Sequence, residues 1–400
     1  MSAAPFSPFP REGKIKLMKK IFIISSILLL LALIFLGIYN FVFSDIPART
    51  SGNSSDNKIE NSVSDPSPTA DSKKKDVENK KIKFLTDEAV ISSAISLDKK
   101  YIQYYSKENG NVWKISLDGS EKINISQDIL TGLTRVLWSP KENKVISRFP
   151  QNKFYLYDHA VSKGIVLKKG ISDIAWTNLG DKIIYNYCDI KTKACSLNLA
   201  NSDGSRWKKM ADLQPGRISI APVPQSSLIS YWNYPDAFSQ TFLKTISLVG
   251  GEPETILSGK YGADYLWSPD GKKVLVSSLA EKGSSKIMLG VADNGGKNYQ
   301  ALNIPTLTSK CAWADEKNIY CALPTAIPDG AVMPNDYQDG KITTKDTFLK
   351  INVLNGENER IVDLEEITSA YDAENLIVSL YEGCLFFVNR IDGKLYRIDI

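Results

Sequence analysis

An all-β fold is what this chain predicts, on three observations. From residue 81 onward the apolar residues follow the short period of strands, as in Tyr101–Tyr105, Val112–Ile115 and Leu395–Ile400. A strand ending in an aromatic, a Ser-Pro-Asp-Gly-like turn and a departing Lys-Val or Lys-Ile strand recur at Leu137–Val145, Ala175–Ile183 and Leu266–Val274, with a shorter version at Ala312–Ile319. Almost nothing in the same stretch has the spacing of an amphipathic helix.

The elements before that stretch differ in kind. Residues 1–20 are basic, with Arg11, Lys14, Lys16, Lys19 and Lys20 against a single acid, Glu12. Ile21–Phe43 is a run of 23 residues without a charge. At about 1.5 Å per residue, a helix of that length crosses a hydrocarbon core of about 30 Å, so one N-terminal transmembrane helix is expected. The basic flank keeps the N-terminus in the cytoplasm and carries residues 44–400 across. A cleaved signal peptide is the competing reading. Its apolar stretch is usually about 7 to 15 residues, and the best cleavage position here, after Ala48, has the bulky Ile46 where a small residue belongs. Residues 44–80 are mostly Ser, Asp, Asn, Lys and Pro, too poor in large apolar side chains to offset chain entropy, and read as a flexible linker. The expected product is a single-pass cell-membrane protein held through Ile21–Phe43, its residues 81–400 forming one extracytoplasmic domain.

Of the net charge of +4, residues 1–43 carry +4, 44–80 carry −1 and 81–400 carry +1. The domain has no basic field to hold nucleic acid. The repeat sets its architecture. Trp138, Trp176, Trp267 and Trp313, with weaker copies at Ile95 and Ala221, fall at intervals of about 40 to 50 residues, the length of a four-stranded blade. A last unit is read from Cys384–Asn389 and Lys394–Ile400, where Gly393–Asp399 mirrors Gly110–Ser116. That unit is one strand short, and Lys81–Thr86 is spare. Supplying it as the outer strand closes a ring and removes exposed sheet edges. The count is a seven-bladed β-propeller, with six or eight units also compatible with the spacing.

These residues resemble the TolB-type and WD-repeat-like β-propellers, whose blades carry a Trp/Phe-Ser-Pro-Asp-Gly-Lys turn between their first two strands. The likeness covers about 320 residues and implies the fold, not a function. The chain also resembles the propeller half of the membrane-anchored dipeptidyl peptidases, but it ends where their hydrolase domain would begin.

Motifs for chemistry are scarce. There is one histidine, His159, and no Gly-x-Ser-x-Gly, Walker loop or His-Glu-x-x-His. The Asp-Gly pairs lack EF-hand spacing and read as turns. The expectation is therefore a protein that is not an enzyme and needs no cofactor or metal. The recurring tryptophans read as core between blades. Cys188 with Cys195, and Cys311 with Cys321, would face each other across tight hairpins in a compartment that permits disulfides, leaving Cys384 free.

Function is sought in loop length. Second-to-third strand connections lengthen around Cys188–Cys195, Trp232–Gln240, Leu279–Ser285 and, above all, Pro324–Asp346. Within them Trp232, Tyr234 and Tyr337 lie beside Asp236, Asp329 and Asp336, a set suited to gripping a protein, peptide or glycan of the cell envelope. The opposing reading folds the long insertion back as a plug with its own small core. An alternative function, an envelope hydrolase or lyase, would use Asp236, Asp329 and Asp336 as paired carboxylates.

Overall fold

The computed structural model describes residues 81–141 and 144–400. The expected membrane helix at Ile21–Phe43 and the linker 44–80 lie outside the described residues. Among those described, no helix is long and apolar enough to cross a membrane.

Seven four-stranded antiparallel sheets follow one another around a central channel. Their inner strands are Val90–Ile95 in blade 1, Arg135–Trp138 in blade 2, Ile171–Trp176 in blade 3, Ile218–Pro222 in blade 4, Asp264–Trp267 in blade 5, Cys311–Trp313 in blade 6 and Ala373–Ser379 in blade 7. Blade 7 is completed by Ile82–Phe84, which pairs antiparallel with the C-terminal strand in the register Ile82 to Ile398, Lys83 to Arg397 and Phe84 to Tyr396. The two ends of the domain thus seal the ring. Because strands alternate in direction, the second-to-third loops and the connections between blades share one face, called here the loop face.

Each interface between neighbouring blades has its own apolar cluster. The recurring tryptophans stitch these interfaces as well as fill them. The indole N–H of Trp138 donates to the carbonyl of Ser92 at 2.6 Å, that of Trp176 to Leu137 at 2.9 Å, and that of Trp313 to Leu266 at 3.2 Å. Trp267 donates to the hydroxyl of Ser230 at 2.8 Å. Every one of these bonds reaches back to the preceding blade, so a buried indole leaves no orphaned donor. The turn beyond Trp267 shows why its sequence recurs. Ser268 Oγ donates to Asp270 at 2.6 Å and accepts from the Lys273 N–H at 2.9 Å. Gly271 sits at φ +67°, where a Cβ would meet the Pro224 carbonyl of the preceding blade at 2.2 Å.

Cys188 lies directly opposite Cys195, and Cys311 directly opposite Cys321. The sulfurs in each pair are at bonding distance, and Cys384 is free and buried.

Candidate functional site

The loop face divides into a covered half and an open half. The covering element is the blade 6 insertion between strands Asn318–Pro324 and Asp346–Asn352, which contains the short helix Asn335–Gln338. It reaches across blade 5 to blade 4. Asn335 accepts from the Ala237 N–H at 2.8 Å and donates to Asp236 at 2.9 Å, while the Gly283 N–H of the blade 5 loop donates to Ala237 at 2.9 Å. Beneath the insertion, Ala237, Leu279, Ile287, Leu307, Met333 and Tyr337 form an eighth apolar cluster, separate from the seven between blades.

Under that cluster lies a buried ionic knot. Lys310, at 0% exposure, donates to Asp346 and Asp372 at 2.7 Å each and to the Ala373 carbonyl at 3.1 Å. Asp372 also accepts from the Tyr337 hydroxyl at 2.8 Å and from Thr344 at 2.9 Å. Arg390 lies 3.5 Å from Asp372 and 3.6 Å from Glu374. Burial pushes Asp372 up, but the Lys310 ammonium and the donors around it outweigh burial and hold the carboxyl below the usual range. For Asp346 burial wins, and its carboxyl is raised despite Lys310.

The residues singled out from the sequence therefore meet different fates. Trp232 and Tyr337 are each 5% exposed, so their rings face the interior. Trp232 packs between blades 4 and 5 and donates to Asp264 at 2.9 Å. Burial and the nearby Asp372 charge drive the Tyr337 phenol far above its ordinary value. Tyr234 is half-buried beneath the Arg217 guanidinium, 3.7 Å from its ring centre. Asp236 and Asp336 cap their own loops, Asp336 accepting from the Val332 N–H at 2.8 Å and from Lys341 at 3.0 Å. Hydrogen bonds, led by Asn335 for Asp236 and by Val332 for Asp336, hold both carboxyls below the usual range. A general acid needs the opposite shift, which neither Asp236 nor Asp336 has in this state. Asp329 is exposed on the insertion. Of the aromatics expected to grip a partner, Tyr337 belongs instead to the core under the plug and Trp232 to the interface between blades 4 and 5.

The open half, over blades 1 to 4, carries a feature that the sequence reading missed. Arg135 and Arg148 are directly opposed in the strand register of blade 2, where side chains stand about 4.5 to 5.5 Å apart and like charges repel. Arg217 enters from the connection leading into blade 4. Arg148 feels both of the other arginines, and burial followed by these charges lowers its pKa, against the pull of Asp173. Asp173, 3.9 Å from Arg135, is the carboxylate facing the group. Burial raises its pKa, with Arg135 and Arg148 opposing. Arg135, alone of this group, also lines a cavity of about 490 Å³ that follows the inner strands from Ser92 and Arg135 to Asn178. The only sequence signal was two arginines, in Thr134-Arg135-Val136 and Ser147-Arg148-Phe149, brought opposite each other by one hairpin register.

No family model and no curated protein sequence matches the chain. Solved structures do. An oligogalacturonate lyase from Vibrio parahaemolyticus is similar at 10% identity and a TM-score of 0.56, over 80% of this chain and 93% of that one. A second oligogalacturonate lyase is 13% identical with a TM-score of 0.55, over the same shares of each chain. The β-propeller domain of the Trilobed protease from Pyrococcus furiosus is 11% identical with a TM-score of 0.50, over 79% of this chain and 96% of that domain. At such identities the likeness carries the fold alone, a seven-bladed β-propeller. One expectation is nevertheless overturned, namely that the chain is not an enzyme. It rested on missing motifs, and two enzymes are built on this propeller over nearly all of their length.

Proposed function

We propose that the protein is a membrane-anchored, extracytoplasmic propeller that binds an acidic glycan of the cell envelope at the channel mouth of its open half. The observation that carries this reading is the grouping of Arg135 and Arg217 about Arg148, with one partly buried carboxylate, Asp173, 3.9 Å from Arg135. Cross-strand guanidiniums repel each other, and an anion that enters between them relieves the repulsion. Guanidinium groups also match carboxylates in bidentate geometry. A uronic acid offers one carboxylate per sugar, and the lyases that share the fold are named for an oligomer of that class. The basic flank and uncharged run at Ile21–Phe43 support an extracytoplasmic site. Two cysteine pairs at bonding distance support an oxidising compartment.

The test is calorimetric titration of the full-length protein with digalacturonate at low salt. The wild type is expected to bind. The double variant R135A/R148A should weaken binding at least tenfold, and D173N should strengthen it by removing the competing carboxylate. Unchanged affinity in R135A/R148A would refute the reading, as would tighter binding of diglutamate than of digalacturonate.

A further inference from the structure

The arginine cluster continues into a second feature. A cleft of about 650 Å³ runs outward between blades 2 and 3, lined by Lys153, Lys168, Lys169 and Lys193 among others. Asn152 joins the two places, since it lines the cleft and accepts from the Arg148 guanidinium. Ser172, next to Asp173 in sequence, also lines the cleft, and its hydroxyl is buried without a partner.

The electrostatics of this cleft are one-sided. The acid in its wall, Asp189, is occupied by its own turn, accepting from the Lys191 N–H at 2.9 Å, the Thr192 N–H at 2.8 Å and the Thr192 hydroxyl at 3.1 Å. Among the described residues, none of the four lysines forms an ion pair within 4.0 Å. Lys168 is held in place all the same, its ammonium 4.0 Å from the ring centre of Tyr187 and 4.9 Å from that of Trp207. The wall between mouth and cleft is also conformationally costly. Gln151 at φ 62° and Asn152 at φ 54° are consecutive non-glycine residues in the left-handed region.

We infer that the cleft is an extension of the channel-mouth site, so that a linear uronic-acid oligosaccharide lies with one end on Arg135, Arg148 and Arg217 and runs outward over the four lysines. This rests on the acidic-glycan reading above and adds direction and length to it. A chain with a carboxylate on every sugar meets arginines first and lysines after, while the exposed Val166 and Ile190 in the cleft wall face the apolar sides of the rings. The free hydroxyl of Ser172 offers a hydrogen bond where the chain would turn from mouth to cleft.

Binding of digalacturonate and hexagalacturonate to the full-length protein tests it. The wild type should bind the hexamer at least tenfold more tightly than the dimer. K168E/K169E, which alters exposed residues, should erase most of that advantage and leave dimer affinity unchanged. A control reversal away from this face, K272E/K317E, should change neither, which separates a site from a diffuse field. Equal affinity for the two lengths in the wild type would overturn the extension while leaving the mouth intact. Equal weakening of both lengths by K168E/K169E would do the same. Failure of both oligomers to bind overturns both readings, and a hexaglutamate that binds as tightly as hexagalacturonate overturns the glycan class.

Discussion

Replacing Lys310 by methionine tests whether the ionic knot holds the insertion down. The substitution keeps most of the side-chain volume and deletes the ammonium that serves Asp346 and Asp372 at 2.7 Å each. Both carboxylates have 0% side-chain exposure, so they would be left as neighbouring buried anions. Removing one partner of a buried pair typically costs about 3 to 5 kcal/mol. An independent route gives a similar figure. Two carboxylates that share a site escape by taking up one proton, and protonating an ordinary aspartate at pH 7 costs roughly 4 kcal/mol, at 1.36 kcal/mol for each of about three pH units. The expected loss at pH 7 is therefore about 4 kcal/mol, or about 4 to 8 °C in melting temperature for a domain of this size at roughly 2.1 cal/mol/K per residue.

The pH dependence gives the stronger check, because its sign is fixed. In the wild type Asp372 is depressed, so its contribution is present above the unfolded aspartate pKa and is lost as pH falls through the folded value. Asp346 is raised and works in the opposite sense, which leaves the wild type comparatively level. In K310M the shared proton is bound more tightly in the folded state than in the unfolded one. Stability should then rise as pH falls towards about 4, by up to about 1.4 kcal/mol per unit. Denaturant melts of wild type and K310M from pH 4.5 to 8 should converge at the acid end. K310M/D346N/D372N should recover most of the loss at pH 7. A deficit below about 1 kcal/mol at pH 7, or one that does not vary with pH, would refute the account of the knot.

Two further outcomes follow from the same geometry. Deleting residues 81–87 removes the strand that pairs with Tyr396–Ile398 and unseals the ring, so it should lower the melting temperature far more than deleting 50–75; equal melting temperatures would contradict closure by that strand. Asp173 is raised by burial, so uronate binding should tighten as pH falls through its folded pKa while the ligand stays ionised, and D173N should flatten that dependence; an unchanged slope in D173N would place the titrating group elsewhere.

The blade pattern was legible because it is local. Trp267, Ser268, Asp270 and Gly271 each satisfy a demand set by their own turn or by the adjoining blade, so the same letters recur wherever the same geometry does. The closing strand was legible for a related reason, since a last unit one strand short needs a partner. The site was not legible in the same way. Lys310, Asp346 and Asp372 are 36 and 62 residues apart in pairing, and no spacing rule links a residue before an inner strand to one at the start of a third strand. Loop length correctly marked the insertion as unusual. It did not say which way its aromatics turn, because an aromatic in a long loop buries itself whenever neighbouring loops supply apolar partners, as Leu279, Ile287 and Leu307 do for Tyr337.

That outcome relocates the question of binding. The plug over blades 4 to 6 buries Tyr337 beneath it and leaves Asp329 exposed, while the proposed site lies over blades 1 to 4. There much of the surface is built from strand ends, whose positions are set by sheet register rather than by loop conformation. Arg135 opposite Arg148 is such a placement. A register-enforced pair of like charges costs stability in the free protein. Arg148 is already tied to Asn152, so it loses less freedom on meeting a carboxylate than an untethered side chain would. The long insertion and the arginine-bearing strand ends are then two parts of one face, the first packed over its own apolar cluster and the second leaving Arg135 exposed at a strand end.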